Sequence, residues 1–281
     1  MKRYFLFDNI IQSEKAPSLA IAAHELMKFL ELDLPVLKEA RADLGSEVLA
    51  LNKQKFILRN AHTLSLAAQG QGSIVCVENS AFNSLQMTKE ALSKDSALQE
   101  KTAKKLLEFG IVLNFETEVL NLETFLVTVV GIEKLASLVQ HPFNNFYVAH
   151  FLGTSFCQTQ NFTDTTLMGK LLTMLQAKKV TFASVYESNG FEVFESSELL
   201  AKQLASTTML DMFDNAADFV LIDDARSFIM FDFYQKALEK VASRDINLCV
   251  LSLAQILLLS FGVTQKEKLG LDKHKIPATL V

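Results

Sequence analysis

Ile74-Val75-Cys76-Val77-Glu78-Asn79-Ser80-Ala81-Phe82 and Val220-Leu221-Ile222-Asp223-Asp224-Ala225-Arg226-Ser227-Phe228 lie in register. Each is a short apolar run, then an acid, then a phenylalanine four residues after that acid. A β-branched run of this length closed by polar residues reads as a buried strand, and the residues after the acid read as a helix start. Two copies in one chain point to an internal duplication.

Working outward from the first copy, residues 4–7 read as a strand. Residues 18–30 read as a helix, because Leu19, Ala22, Leu26, Phe29 and Leu30 recur at helical spacing. Residues 56–68 are a helix, 73–77 a strand, and 91–109 an amphipathic helix leading to a strand at 110–115. Gln140-His141-Pro142 makes a joint, since proline forces its neighbour out of helix. The pattern then restarts: strand 146–150, helix 166–176, strand 180–185, helix 199–213, strand 218–222, helix 228–242, strand 247–251 and a last helix. Alternating strands and helices specify an α/β fold with two similar parallel-sheet halves, divided as 1–142 and 143–281. Ligands in such sheets sit beyond the carboxyl ends of the strands, where Glu78 and Asp224 fall.

The 281 residues suffice for two domains, each with its own core. With 49% apolar and 21% charged residues, and 22 Phe against no Trp, the chain is globular and rich in core material. A formal charge of −5 without a basic stripe argues against nucleic acid as a partner. Met1-Lys2-Arg3 could open a signal peptide, but Asp8 interrupts the apolar run, so a cytoplasmic protein is expected. The longest apolar stretch, 248–263, contains Ser252, Gln255 and Ser260 and is shorter than the ~20 residues that cross a bilayer. It reads as a strand entering a helix. The cysteines at 76, 157 and 249 stand alone among apolar neighbours, which suits small core residues and supports neither disulfides nor zinc. The glycine-rich phosphate loops and the Gly-x-Ser-x-Gly of hydrolases are absent.

The second half is similar, stretch by stretch, to the B-type subunit of heterodisulfide reductase and other proteins with the cysteine-rich CCG domain. The family's opening strand runs into Gly-Cys, where this chain has Val148-Ala149-His150-Phe151-Leu152-Gly153 followed by Thr154. The Cys-Cys-Gly-Phe corresponds to Ser188-Asn189-Gly190-Phe191. The Gly-Ala-Asp and its strand match Ala216-Ala217-Asp218 and the apolar run after it, while the Cys-x-x-Cys positions hold Asp224 and Ser227. The closing segment, with Gln255 and Leu269-Gly270-Leu271-Asp272-Lys273-His274, also resembles the family. In the first half, Asp8 falls where the first cysteine would be, Arg59-Asn60 resembles the Arg-Asn opening the next helix, and Glu78 and Ala81 fall on the Cys-x-x-Cys. The first Cys-Cys-Gly should lie near residues 41–45, where there is no cysteine.

The resemblance implies iron–sulfur clusters in the family and none here. Clusters need several thiolates converging on iron, and Asp8, Glu78, Ala81, Thr154, Ser188, Asn189, Asp224 and Ser227 supply none. The implied function is a cluster-free, non-catalytic binding or structural subunit of a redox complex, with no catalytic residue, cofactor or metal. The alternative is an enzyme or small-ligand sensor that reuses the polar crevices. Asp8, Glu78, Asp223 and Asp224 suit a hard cation by chemistry, but acids after strands more often cap helices. Ser188-Asn189-Gly190 is good turn chemistry before it is a ligand cradle. His150 with Thr154 and Cys157 suggests a nucleophile pair, against which stands the commoner packed core histidine. His24, His62, His141 and His274 show no metal-ligand spacing.

Overall fold

Tyr4, Phe5, Leu6 and Phe7 fall in β1 (Arg3–Phe7), whose last three residues are buried, as a strand covered on both faces must be. The computed structural model describes residues 2–10, 12–41, 45–154, 156, 162, 164 and 166–278. Packing divides the chain into one unit of Met1–Ile11 with Leu32–Phe125 and another of Gln12–Glu31 with Leu126–Val281.

In the first unit β1 pairs in parallel with β2 (Gly72–Cys76), and β2 with β3 (Val119–Asn121). Beyond the outer side of β1, Leu6 bridges Val36 through a single parallel contact. The helix Lys53–Gln69 is started by Asn52, whose Oδ1 accepts the Lys55 N–H at 2.9 Å. Helices Asn79–Lys94 and Ser96–Leu107 come after β2.

In the second unit the order is β5 (Lys178–Lys179), β4 (Tyr147–Phe151), β6 (Phe219–Ile222) and β7 (Cys249–Ser252), again all parallel. The long helix Glu198–Asp214 precedes β6, and Leu253–Ser260 continues from β7 with a Ser252–Gln255 capping box. The helix Pro17–Phe29 belongs to this unit by packing, laying Leu19, Ala22, Ala23, Leu26 and Met27 against Leu253–Ser260 and Lys266–Leu269.

The ladders carry the duplication residue by residue. Phe7 pairs with Cys76 and Cys76 with Asn121; Phe151 pairs with Ile222 and Ile222 with Ser252. Cys76 therefore matches Ile222, which keeps Glu78 level with Asp224 and Ala81 level with Ser227. The same register makes Asp8 the counterpart of Leu152 and not of Thr154.

Four elements differ from the sequence expectation. Residues 110–115 form no strand; the third strand is Val119–Asn121, and Val112 is left 67% exposed. Residues 180–185 are likewise irregular after a two-residue β5. The 91–109 helix is two helices, because Asp95 Oδ1 accepts the Leu98 N–H and starts a second one. The 228–242 helix is interrupted by a π turn at Ile229–Phe233, an insertion often found where a helix re-aims a side chain.

Candidate functional site

At the carboxyl end of β6 the chain leaves the sheet through Asp223 and Asp224, and the two carboxylates diverge. Asp224 starts the helix Ala225–Phe228: its Oδ1 accepts the Ser227 N–H at 2.9 Å and its Oδ2 accepts the Ser227 hydroxyl at 2.7 Å. Ser227, fully buried, accepts in turn from Asn189 Nδ2 at 2.9 Å. Asn189 Oδ1 accepts the Phe191 N–H, and Ser188 Oγ accepts the Gly190 N–H while donating to Glu192 Oε1 at 2.8 Å. Thr208, on the helix Glu198–Asp214, donates to the Ser188 carbonyl at 3.3 Å. Ser188, Asn189, Asp224 and Ser227 thus form one hydrogen-bonded cluster, although the two pairs lie far apart in the chain.

Burial raises the Asp224 carboxyl above its ordinary range; the Ser227 hydroxyl and amide and the Arg226 charge oppose that, and Asp223 reinforces it. The Arg226 guanidinium lies over the Phe191 ring at 5.7 Å. Asp223 turns the other way, its Oδ2 2.6 Å from His150 Nε2 on the neighbouring strand β4. His150 is therefore buried against a carboxylate. Thr154 is exposed beyond Gly153 and stands outside the cluster. Cys157, its suggested companion, lies outside the described residues.

The first unit places Asp8 and Glu78 at the corresponding sheet end, where the Val77 N–H donates to the Phe7 carbonyl at 3.1 Å. Glu78 is buried at the start of Asn79–Lys94 without a side-chain cap, and Ala81 is buried with no polar group to offer. Gly45 has φ of +85° and Gly190 of +80°, and each immediately precedes a helical turn. Residues 42–44, within the stretch expected to match the first Cys-Cys-Gly, lie outside the described residues.

No three His, Cys, Asp or Glu side chains among the described residues are grouped to hold a metal ion. Cys76 and Cys249 are buried in strands, and burial, then the charges of Asp232 and Asp218, push the Cys249 thiol up to about 12. A thiol so placed is protonated at neutral pH and unreactive as a nucleophile.

A second buried polar group escapes sequence reading. Asp232, in the π turn, accepts the N–H groups of Lys275 at 2.8 Å and Ile276 at 3.2 Å. His274 Nδ1 lies 3.6 Å from Asp232 Oδ1, and its Nε2 is 2.8 Å from Gln255 Nε2. Gln255 Oε1 already accepts the Ser252 N–H, so its Nε2 donates to His274 Nε2 and to the Leu269 carbonyl. The imidazole proton therefore sits on Nδ1, facing Asp232. The lone acid within Ile229-Met230-Phe231-Asp232-Phe233 is the signal that could have pointed to it.

Residues 191–275, which hold β6, β7, Asp223, Asp224, Ser227, Asp232, Gln255 and His274, match the family model of the HdrB-like C-terminal domain. The two parallel sheets make the chain an α/β protein, and residues 191–275 are its HdrB-like part. It is 24% identical over 274 residues, covering 93% of this chain and 95% of the other, to the 8-methylmenaquinol:fumarate reductase membrane anchor subunit of Wolinella succinogenes. Its fold is that of a crystal structure of a hypothetical protein from Helicobacter pylori, with a TM-score of 0.86 at 21% identity. That alignment covers all of this chain and 53% of the solved one, so this chain spans about half the length of that structure. No helix among the described residues is long and apolar enough to cross a membrane.

Proposed function

We propose that this chain is a cluster-free, non-catalytic component that binds a protein partner within a redox complex and acts on the cytoplasmic side. The observation that carries the reading is the Asp224–Ser227–Asn189 cluster. Carboxylate, hydroxyl and amide stand at the positions that the resemblance sets against the family's cysteines, and they are bonded to one another. An iron–sulfur cluster does not fit this donor set, because iron in such clusters is held by thiolates. No step is routed through one. The relative's name, a membrane anchor subunit of a reductase, supports a partner of that kind. With no spanning helix among the described residues, any hold on a membrane would pass through that partner or a surface contact.

Iron and acid-labile sulfide in anaerobically purified protein are expected at trace level only. A stoichiometric cluster overturns the cluster-free part. Mild affinity capture from the native host is expected to bring down a reductase subunit, and recovery of the bare chain counts against the partner.

A second reading, a ligand sensor or enzyme using the crevices, is favoured by the His150–Asp223 contact beside the cluster. A ligand that binds only the folded form raises stability by about 2.7 kcal/mol at a hundredfold excess over Kd. On this reading Glu78→Ala and Asp224→Ala abolish the thermal shifts found in a metabolite screen. Shifts that survive both substitutions remove these residues from it.

A further inference from the structure

The helix Lys53–Gln69 buries Phe56, Ile57, Asn60, Ala61 and Leu64 against its unit. Lys55, Leu58, Arg59 and His62 are three, four and seven residues apart, which gathers them on another side of the same helix. With Arg41, Leu106 and Phe109 they line a cleft of about 170 Å³. Leu106 is buried at its base, Leu58 packs against the core, and Phe109 stands at the rim, 69% exposed.

Three cationic side chains thus meet beside an apolar wall. No ion pair among the described residues involves Arg41 or Lys55. Guanidinium groups present paired N–H donors that match the oxygens of carboxylate and phosphate. His62 reports the local field: burial first, and the Arg41 charge second, hold its pKa below the ordinary value, with Glu39 opposing. A neutral imidazole there remains able to donate one hydrogen bond.

We propose that the cleft binds a small ligand in which a phosphate or carboxylate is joined to an apolar group. The anion meets Arg41, Lys55 and Arg59, and the apolar part lies on Leu58, Leu106 and Phe109. A soluble metabolite and an anionic lipid headgroup share this chemistry. The site stands whether or not the chain belongs to a redox complex.

Calorimetry on the full chain with phenyl phosphate and with inorganic phosphate tests the site. Saturable binding is expected for both, tighter for phenyl phosphate. Arg41→Gln and Lys55→Gln each weaken it by about tenfold or more, the scale of a lost charge-assisted hydrogen bond. Phe109→Ser removes the advantage of phenyl phosphate and leaves inorganic phosphate unchanged. Arg41, Lys55 and Phe109 are exposed, so unchanged melting temperatures are expected to certify the fold. Cosedimentation with phosphatidylglycerol vesicles, abolished by Arg41→Gln/Lys55→Gln, identifies the lipid source; phenyl phosphate binding without cosedimentation identifies the soluble one. Failure of phosphate, phenyl phosphate and vesicles alike to bind, or binding untouched by the double substitution, overturns the proposal.

Discussion

Gly190→Ala is expected to destabilise the unit that contains it by about 3 kcal/mol or more, at the upper end of single-residue effects. Gly190 holds φ at +80°, where a side chain costs about 1 kcal/mol or more. An added Cβ would also stand 2.2 Å from the Ala201 carbonyl oxygen and 2.9 Å from its carbon. Both are backbone atoms of the helix Glu198–Asp214, which cannot yield as a side-chain tip would. The turn is pinned from both sides, since Ser188 accepts the Gly190 N–H and Asn189 accepts the Phe191 N–H. Displacing it pulls Asn189 from Ser227 and opens the polar cluster. Gly110→Ala is the comparison: φ is +74° there but nothing lies within 4 Å of a built Cβ, so only the conformational cost remains. Urea denaturation of the two variants separates the terms. Equal losses would mean that the helix moves aside.

Asp232→Asn is expected to make the protein acid-sensitive. Burial raises the Asp232 carboxyl to about 6 and holds the His274 imidazole down to about 4. The aspartate's contribution is present below its unfolded value of 3.8 and is lost as pH rises through about 6. The histidine's is present above 6.5 and is lost as pH falls towards about 4. Between about 4 and 6 the two slopes have opposite sign and offset each other. With asparagine at 232 only the histidine slope remains, so stability falls by about 2–3 kcal/mol from pH 6.5 to 4. Unfolding free energies from urea titrations at several pH values in that window read the difference directly. A variant profile parallel to that of the parent would remove Asp232 from the balance.

Sequence reading recovers what strands and helices announce locally. The acid-and-phenylalanine pattern at Glu78 and Asp224 locates the two β–α junctions, and the ladders keep the same register. The elements it misses are those too short to show a period. Val119–Asn121 has three residues and Lys178–Lys179 two, while Ile111-Val112-Leu113 imitates a strand without finding one to pair with. Asp95 reads as one more polar residue on an amphipathic helix, yet its carboxylate starts a new one. At the candidate site, positions 188, 189, 224 and 227 come together in the sequence only through the family resemblance. Their bonding, Asn189 to Ser227 across the loop and helix between them, has no local signature. Nor does the cleft on the Lys53–Gln69 helix, because the partners of its cationic face come from Arg41 and from the end of another helix.

The first helix of the chain sets a condition on synthesis. Leu19, Ala22, Leu26 and their neighbours find their cover on Leu253–Ser260, and Phe29 stacks on Phe261 at 5.3 Å. During translation that surface does not yet exist. Translation must pass Phe261 before this apolar stripe meets its cover, so the helix is made long before the surface that shields it.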